Sequence, residues 1–246
     1  MPCSHCRGDG HTNSKKKPCT RELFVPKDPV TPEALRTRYN RLREFENAEI
    51  ADDEKFGYKT RRYGLPEHIS ENVIKEVIKN HLGDRSCTWM CAVGDLYSNE
   101  SKVIECKSFT SKGPTSFGPK QKWNVIYFLD ARSWLDDKLI VWQINLPNTH
   151  DVWKNIKVRE SQTKEDQADE GRRPRINWDG LYPQISEHCT KVYDGTFEGI
   201  FTPVAVVQVA EQSVVLPELT QHSLPVCTDA NLPMQESYTP PEIPEN

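Results

Sequence analysis

What most restricts the fold of this chain is a change of hydrophobic period partway along it. Between residues 66 and 82, Ile69, Val73, Val77 and Ile74, Ile78, Leu82 form adjoining apolar rows at helical spacing, with Gly83 placed to stop the helix. An earlier helix is signalled by Thr31-Pro32-Glu33, which reads as an N-cap, a first-turn proline and an early acid. Leu35, Tyr39, Leu42 and Phe45 follow at helical spacing. Beyond residue 88 the pattern becomes that of strands: 89–93 is a short apolar run, 102–107 alternates, and 124–129 and 139–146 are rich in branched and aromatic residues. Helices followed by hairpin-linked strands predict an α/β (α+β) domain, a mixed central sheet flanked by helices.

At 246 residues the chain has room for one large domain with appendages. Its formal net charge of −4 argues against indiscriminate coating of polyanions, but the charge is unevenly placed. Residues 1–43 hold ten Lys/Arg against four Asp/Glu, whereas 203–246 hold six acids, seven prolines and no Lys or Arg. Such a tail is expected to be mostly disordered, after a valine-rich opening at 204–209 that suits a last strand or a docking segment. The expected organisation is a basic head over 1–25, a folded domain over 30–202 and an acidic tail over 203–246. No apolar run nears the roughly 20 residues a membrane helix needs, and the first residues lack a signal-peptide core. A non-secreted, cytoplasmic chain with no membrane partner is therefore expected.

The stretch richest in chemistry is Gly94-Asp95-Leu96-Tyr97-Ser98-Asn99-Glu100-Ser101-Lys102-Val103-Ile104-Glu105-Cys106-Lys107. It reads as strand, polar turn, strand. Alternation puts Glu105 and Lys107 on one face and Ile104 and Cys106 on the other, and a hairpin would set Asp95 beside Glu105. Two carboxylates at one point suit Mg²⁺, and a neighbouring lysine suits an attacking water, which are the parts of metal-assisted phosphodiester hydrolysis. An exposed hairpin with charges on its solvent face would show the same spacing.

The amphipathic helix before this hairpin and the buried strands after it make the segment resemble the core of the PD-(D/E)xK nuclease superfamily, with Gly94 where proline is usual. Lys107-Ser108-Phe109-Thr110-Ser111-Lys112-Gly113-Pro114-Thr115-Ser116-Phe117-Gly118-Pro119, followed by Trp123 to Asp130, is similar to small type II restriction endonucleases of that superfamily. The resemblance, over residues 68–200, implies that Asp95 and Glu105 hold Mg²⁺ together with the Cys106 carbonyl, and that Lys107 assists the water. It also implies an acid on the preceding helix, for which Glu76 and Glu71 compete. Double-stranded DNA as substrate, a homodimer on palindromic sites and functional pairing with a DNA methyltransferase follow by the same analogy.

Site-specific cleavage needs base-edge readers as well as phosphate contacts. Arg172, Arg173 and Arg175 form the densest arginine cluster, within a polar segment spanning 160–177 read as a loop. Lys112, Lys120 and Gln121 flank the 113–119 loop beside the catalytic strand; Lys154, Asn155 and Lys157 are weaker candidates. In the head, Cys3-x2-Cys6-x4-His11-x7-Cys19 offers three thiolates and an imidazole, a tetrahedral Zn²⁺ set that resembles a zinc knuckle with an enlarged last loop. His5 competes with His11. The tryptophans are expected in the core, as are Cys87 and Cys91. A non-catalytic zinc-knuckle nucleic-acid-binding protein, a junction resolvase and a repair nuclease are the competing readings.

Overall fold

The computed structural model describes residues 30–59, 61–90, 94–118 and 121–204. The first helix, α1 (Pro32–Phe56), begins as its sequence requires. Thr31 Oγ1 accepts the Ala34 N–H at 3.2 Å, and Pro32 occupies a first-turn position whose N–H would have no helical partner. Leu35 and Tyr39 are buried, and Tyr39 stacks on Phe197 with ring centroids 3.7 Å apart. Leu42 is only partly buried, and Phe45, next in the same row, is 47% exposed. The core thus claims only the first half of α1. The second helix, α2 (Glu67–His81), buries Ile69, Val73, Ile74, Val77 and Ile78, and Gly83 follows it at φ 77°.

The strands are β1 (Thr88–Trp89), β2 (Leu96–Ser98), β3 (Lys102–Phe109), β4 (Thr115–Ser116), β5 (Val125–Asp130) and β6 (Leu139–Ile144). After α3 (Asp151–Asn155) come β7 (Lys157–Arg159), β8 (Gln162–Thr163), α4 (Lys164–Asp169), β9 (Arg175–Ile176), α5 (Trp178–Ile185) and β10 (Cys189–Gly195). A six-stranded sheet runs in the order β1-β2-β3-β5-β6-β10. Among the described residues of this sheet only β3 and β5 pair in parallel, with Glu105 level with Ile126; the other neighbours are antiparallel. This is the mixed sheet the sequence predicts.

Alternation along the strands divides two cores. Ile104, Cys106, Val125, Tyr127, Leu129, Leu139 and Val141 pack with α1 and α2. On the other face Phe109, Ile126, Phe128 and Ile144 pack with Phe117, Trp123, Trp153, Trp178 and Leu181. Trp123, Trp134, Trp153 and Trp178 are buried, as is Cys87; Cys91 lies outside the described residues.

Two segments differ from their sequence reading. The polar stretch 160–177 is structured: Thr163 and Asp166 form a reciprocal capping box that starts α4, and β9 pairs with β4. Strand β10 was not signalled, because among its residues only Tyr193 is buried and no apolar alternation results. The tail's valine-rich run beyond Val204 and the head both lie outside the described residues. No helix among the described residues is long and apolar enough to cross a membrane.

Candidate active site

The β2–β3 hairpin places the first acid. Leu96 stands level with Ile104, and Asp95 continues the ladder by donating its N–H to the Ile104 carbonyl at 2.9 Å. Strand β2 does not extend past this point, so the Cys106 N–H has no strand donor–acceptor partner on that side. Asp95 Oδ2 accepts it at 2.7 Å. The backbone that permits this is strained for any residue but glycine: Gly94 sits at φ 72°, where a Cβ would lie 2.7 Å from Val103 Cγ1 and 2.9 Å from the Ile104 carbonyl oxygen. Proline, fixed near φ −65°, cannot occupy that conformation.

Glu105 and Lys107 leave β3 on the face opposite α2. Glu105 is 2% exposed and accepts hydrogen bonds from Lys107 Nζ and Gln121 Nε2. Burial, then the charge of Asp95, push its carboxyl up to about 7 against the pull of Lys107. Cys106 turns its side chain into the core under α2 and also lines the cleft.

These groups meet in a cleft of about 260 Å³ whose walls include Glu71, Asp95, Glu105, Lys107, Ser116 and Gln121. Of the two competing helix acids, the one in the cleft is Glu71. Its carboxylate accepts the indole N–H of Trp89, and Glu67 and Ser70 on the same face of α2 also line the cleft. Glu76 does not line it: it is buried elsewhere, paired with Lys75 at 3.2 Å and accepting from Asn80 Nδ2 at 3.4 Å. The polar i, i+3, i+4 stripe of Glu67, Ser70 and Glu71 is the sequence signal that separates the two acids.

The donor set fits a hard divalent cation. Asp95, Glu105 and Glu71 line it with carboxylates that could bind such an ion, Cys106 lines it as well, and among the described residues the lining holds one lysine against several acids. Among the described residues no three or more His, Cys, Asp or Glu side chains are grouped as a preformed metal cage, and Mg²⁺ requires none, since it keeps several waters. Cys3, Cys6, His11 and Cys19 lie outside the described residues, as does Lys120.

The arginine cluster is tied to the same cleft. Arg175 stands level with Ser116 in the β4–β9 pair, Phe117 donates its N–H to the Pro174 carbonyl at 2.9 Å, and Thr115 Oγ1 bonds the Ile176 carbonyl at 3.1 Å. Arg172, Arg173 and Arg175 are exposed, and Arg172 pairs with Glu170 at 3.2 Å. Lys112 is exposed in the turn between β3 and β4. Gln121 points into the cleft at Glu105, and Phe117 is buried in the second core and not offered to a groove. Lys154, Asn155 and Lys157 lie on α3 and β7, where Lys154 pairs with Asp151 at 2.7 Å.

Comparison with known proteins falls on this same region. A model of the Bsp6I restriction endonuclease matches residues 41–180, a span that takes in every cleft residue and the arginine cluster. The chain is 35% identical over 120 residues to the type II restriction enzyme Bsp6I of Bacillus sp. (strain RFL6), covering 48% of this chain and 64% of that enzyme. It therefore spans a little under two thirds of that relative's length. No solved structure matches. On the extent of that match, the chain belongs to the Bsp6I restriction endonuclease family.

Proposed function

We propose that the chain is a type II site-specific endonuclease that hydrolyses phosphodiester bonds of double-stranded DNA with Mg²⁺. The observation that carries this reading is the convergence of Asp95, Glu105 and Lys107 in one cleft, with the Asp95 carboxylate fixed on the Cys106 N–H. Asp95, Glu105 and the Cys106 carbonyl would hold the cation, which would supply a Lewis acid and an acidified water. Lys107, paired with Glu105, would orient the attacking water and offset charge on the phosphate. Glu71, fixed by Trp89, adds a further acid at the cleft wall. Arg172, Arg173 and Arg175, displayed on the ribbon that borders the cleft, supply base-edge and phosphate contacts, as does Lys112.

The organisation that goes with this is a zinc-binding head over 1–25 using Cys3, Cys6, His11 and Cys19, a nuclease domain over 30–202 and an acidic tail that tempers non-specific binding. The enzyme acts in the cytoplasm alongside a methyltransferase that protects the same site, and a homodimer cuts both strands of a palindrome.

Incubating the protein with unmethylated phage DNA and Mg²⁺ tests the reading. Discrete fragments support it. A gel shift without cleavage favours a binding protein, and a smear favours a non-specific nuclease. Glu105→Ala and Lys107→Ala are expected to lose cleavage while keeping DNA binding in Ca²⁺; near-normal cleavage by either removes the site assignment. Cys6→Ser is expected to weaken binding and leave the cut pattern unchanged.

A further inference from the structure

Helix α1 carries a stripe that the core does not use. No residue of α1 beyond Leu42 joins either core, yet the helix continues to Phe56. Phe45 is 47% exposed and Phe56 55% exposed, and Phe45 leans edge-on against Tyr63, itself 55% exposed, at 5.6 Å between centroids. Tyr63 is held there by its N–H, which Glu46 accepts at 2.7 Å. Arg38, Phe45 and Asp52 lie seven residues apart in turn, with Glu49 four after Phe45 and Phe56 four after Asp52. Those intervals define one seam along a helix.

The charges of the seam reverse sign at Phe45. Seven and four residues before it stand Arg38 and Arg41; four and seven after it stand Glu49 and Asp52. Among the described residues, none of these four makes an ion pair. Within one helix like charges sit at i, i+3 along the seam (Arg38 and Arg41, Glu49 and Asp52) and do not offset each other there. A second, antiparallel copy would set opposite charges against them. With the two-fold axis at Phe45, each Arg41 is level with the partner's Glu49, each Arg38 with the partner's Asp52, and the two Phe45 rings face each other. A two-fold contact must be complementary to itself, and this stripe is.

We propose that α1 is a self-association surface, on which two copies of this chain pair antiparallel about Phe45. Nucleic acid is the poorer occupant: half of the stripe is acidic and would repel phosphate. The loop that follows α1 runs to Gly64, where a Cβ would lie 3.4 Å from Thr110 Oγ1 just past β3, and then to Glu67 in the cleft wall. The pairing surface and the cleft are thus joined by a short piece of chain.

The test is the mass of the full chain in solution at low salt, without DNA or metal, so that its outcome is independent of whether the protein cuts DNA. The wild type is expected at twice the 28.3 kDa chain mass. Arg38→Glu with Arg41→Glu, and separately Glu49→Arg with Asp52→Arg, are each expected to be monomeric, because each sets like charges together on both sides of the axis. Mixing the two variants is expected to restore a one-to-one dimer, which also shows that both are folded. A monomeric wild type, a variant that stays dimeric, or a mixture that stays monomeric overturns the proposal. Loss of DNA affinity by the arginine variant with no change in mass would assign the basic half to phosphate and overturn it as well.

Discussion

Replacing Glu105 with glutamine isolates the cost of keeping a carboxylate in the cleft. The side chain is 2% exposed and close to Asp95 and Glu71, and its carboxyl is raised from the ordinary 4.5 to about 7. In the unfolded chain it ionises near pH 4.5; in the fold, near pH 7. Between those values the native state binds more protons than the unfolded state, so stability falls as pH rises. The penalty is absent below pH 4.5 and complete above pH 7. At about 1.36 kcal/mol per pH unit it amounts to about 3 kcal/mol. Glutamine keeps the shape and one acceptor without the charge, but leaves Lys107 without its partner. The expected net gain for metal-free Glu105→Gln at pH 8 is therefore about 1–3 kcal/mol, or on the order of 2–10 °C in melting temperature. Urea unfolding in EDTA at pH 5 and pH 8 measures it, and the gain is expected to shrink towards zero at pH 5. Added Mg²⁺ is expected to raise the wild type's stability at pH 8 more than the variant's. A difference between the proteins that is the same at both pH values would refute the reasoning.

Gly94→Ala is expected to cost about 1–2 kcal/mol for the positive φ alone, more with the contact on Val103, and to lower cleavage together with thermal stability. Trp89→Phe removes the donor to Glu71 while keeping an aromatic ring. A roughly tenfold loss of turnover with an unchanged melt is expected, and steady-state kinetics with calorimetry separate the two. Arg173→Ala and Arg175→Ala are expected to reduce DNA affinity and relax sequence preference, read from binding at several salt concentrations and from the spread of cut sites.

How much was legible in the sequence depended on burial. Helix α2 and strands β3, β5 and β6 have long apolar patterns because the sheet covers them, and their bounds follow those patterns closely. Strands β1, β4 and β9 are two residues each, too short to have a period, and β10 is largely exposed. The choice between Glu71 and Glu76 could not be made from apolar rows, because α2 buries Ser70, Glu71, Asn72, Lys75 and Glu76 as well as its aliphatic side chains. Which acid faces the cleft is set by Trp89 on one side and Lys75 on the other. The capping box at Thr163 and Asp166 was visible as a pattern, but in a polar segment without apolar period it read as loop. Phe45 sits correctly in its helical row; that the row outruns the core is a tertiary fact. The tie between the arginine cluster and the cleft likewise rests on a long-range pairing, Ser116 with Arg175, that spacing alone does not reveal.

On the proposed function, the Asp95, Glu105 and Lys107 cleft cuts DNA at a defined sequence with a divalent cation. Sequencing the ends produced from a known plasmid tests it most directly, with wild type in Mg²⁺, wild type in EDTA and Lys107→Ala in Mg²⁺ side by side. The expected result is wild-type ends at one short recurring sequence in Mg²⁺ and no new ends in the other two reactions. Ends scattered without a common sequence, or the same cuts made by Lys107→Ala, would contradict it.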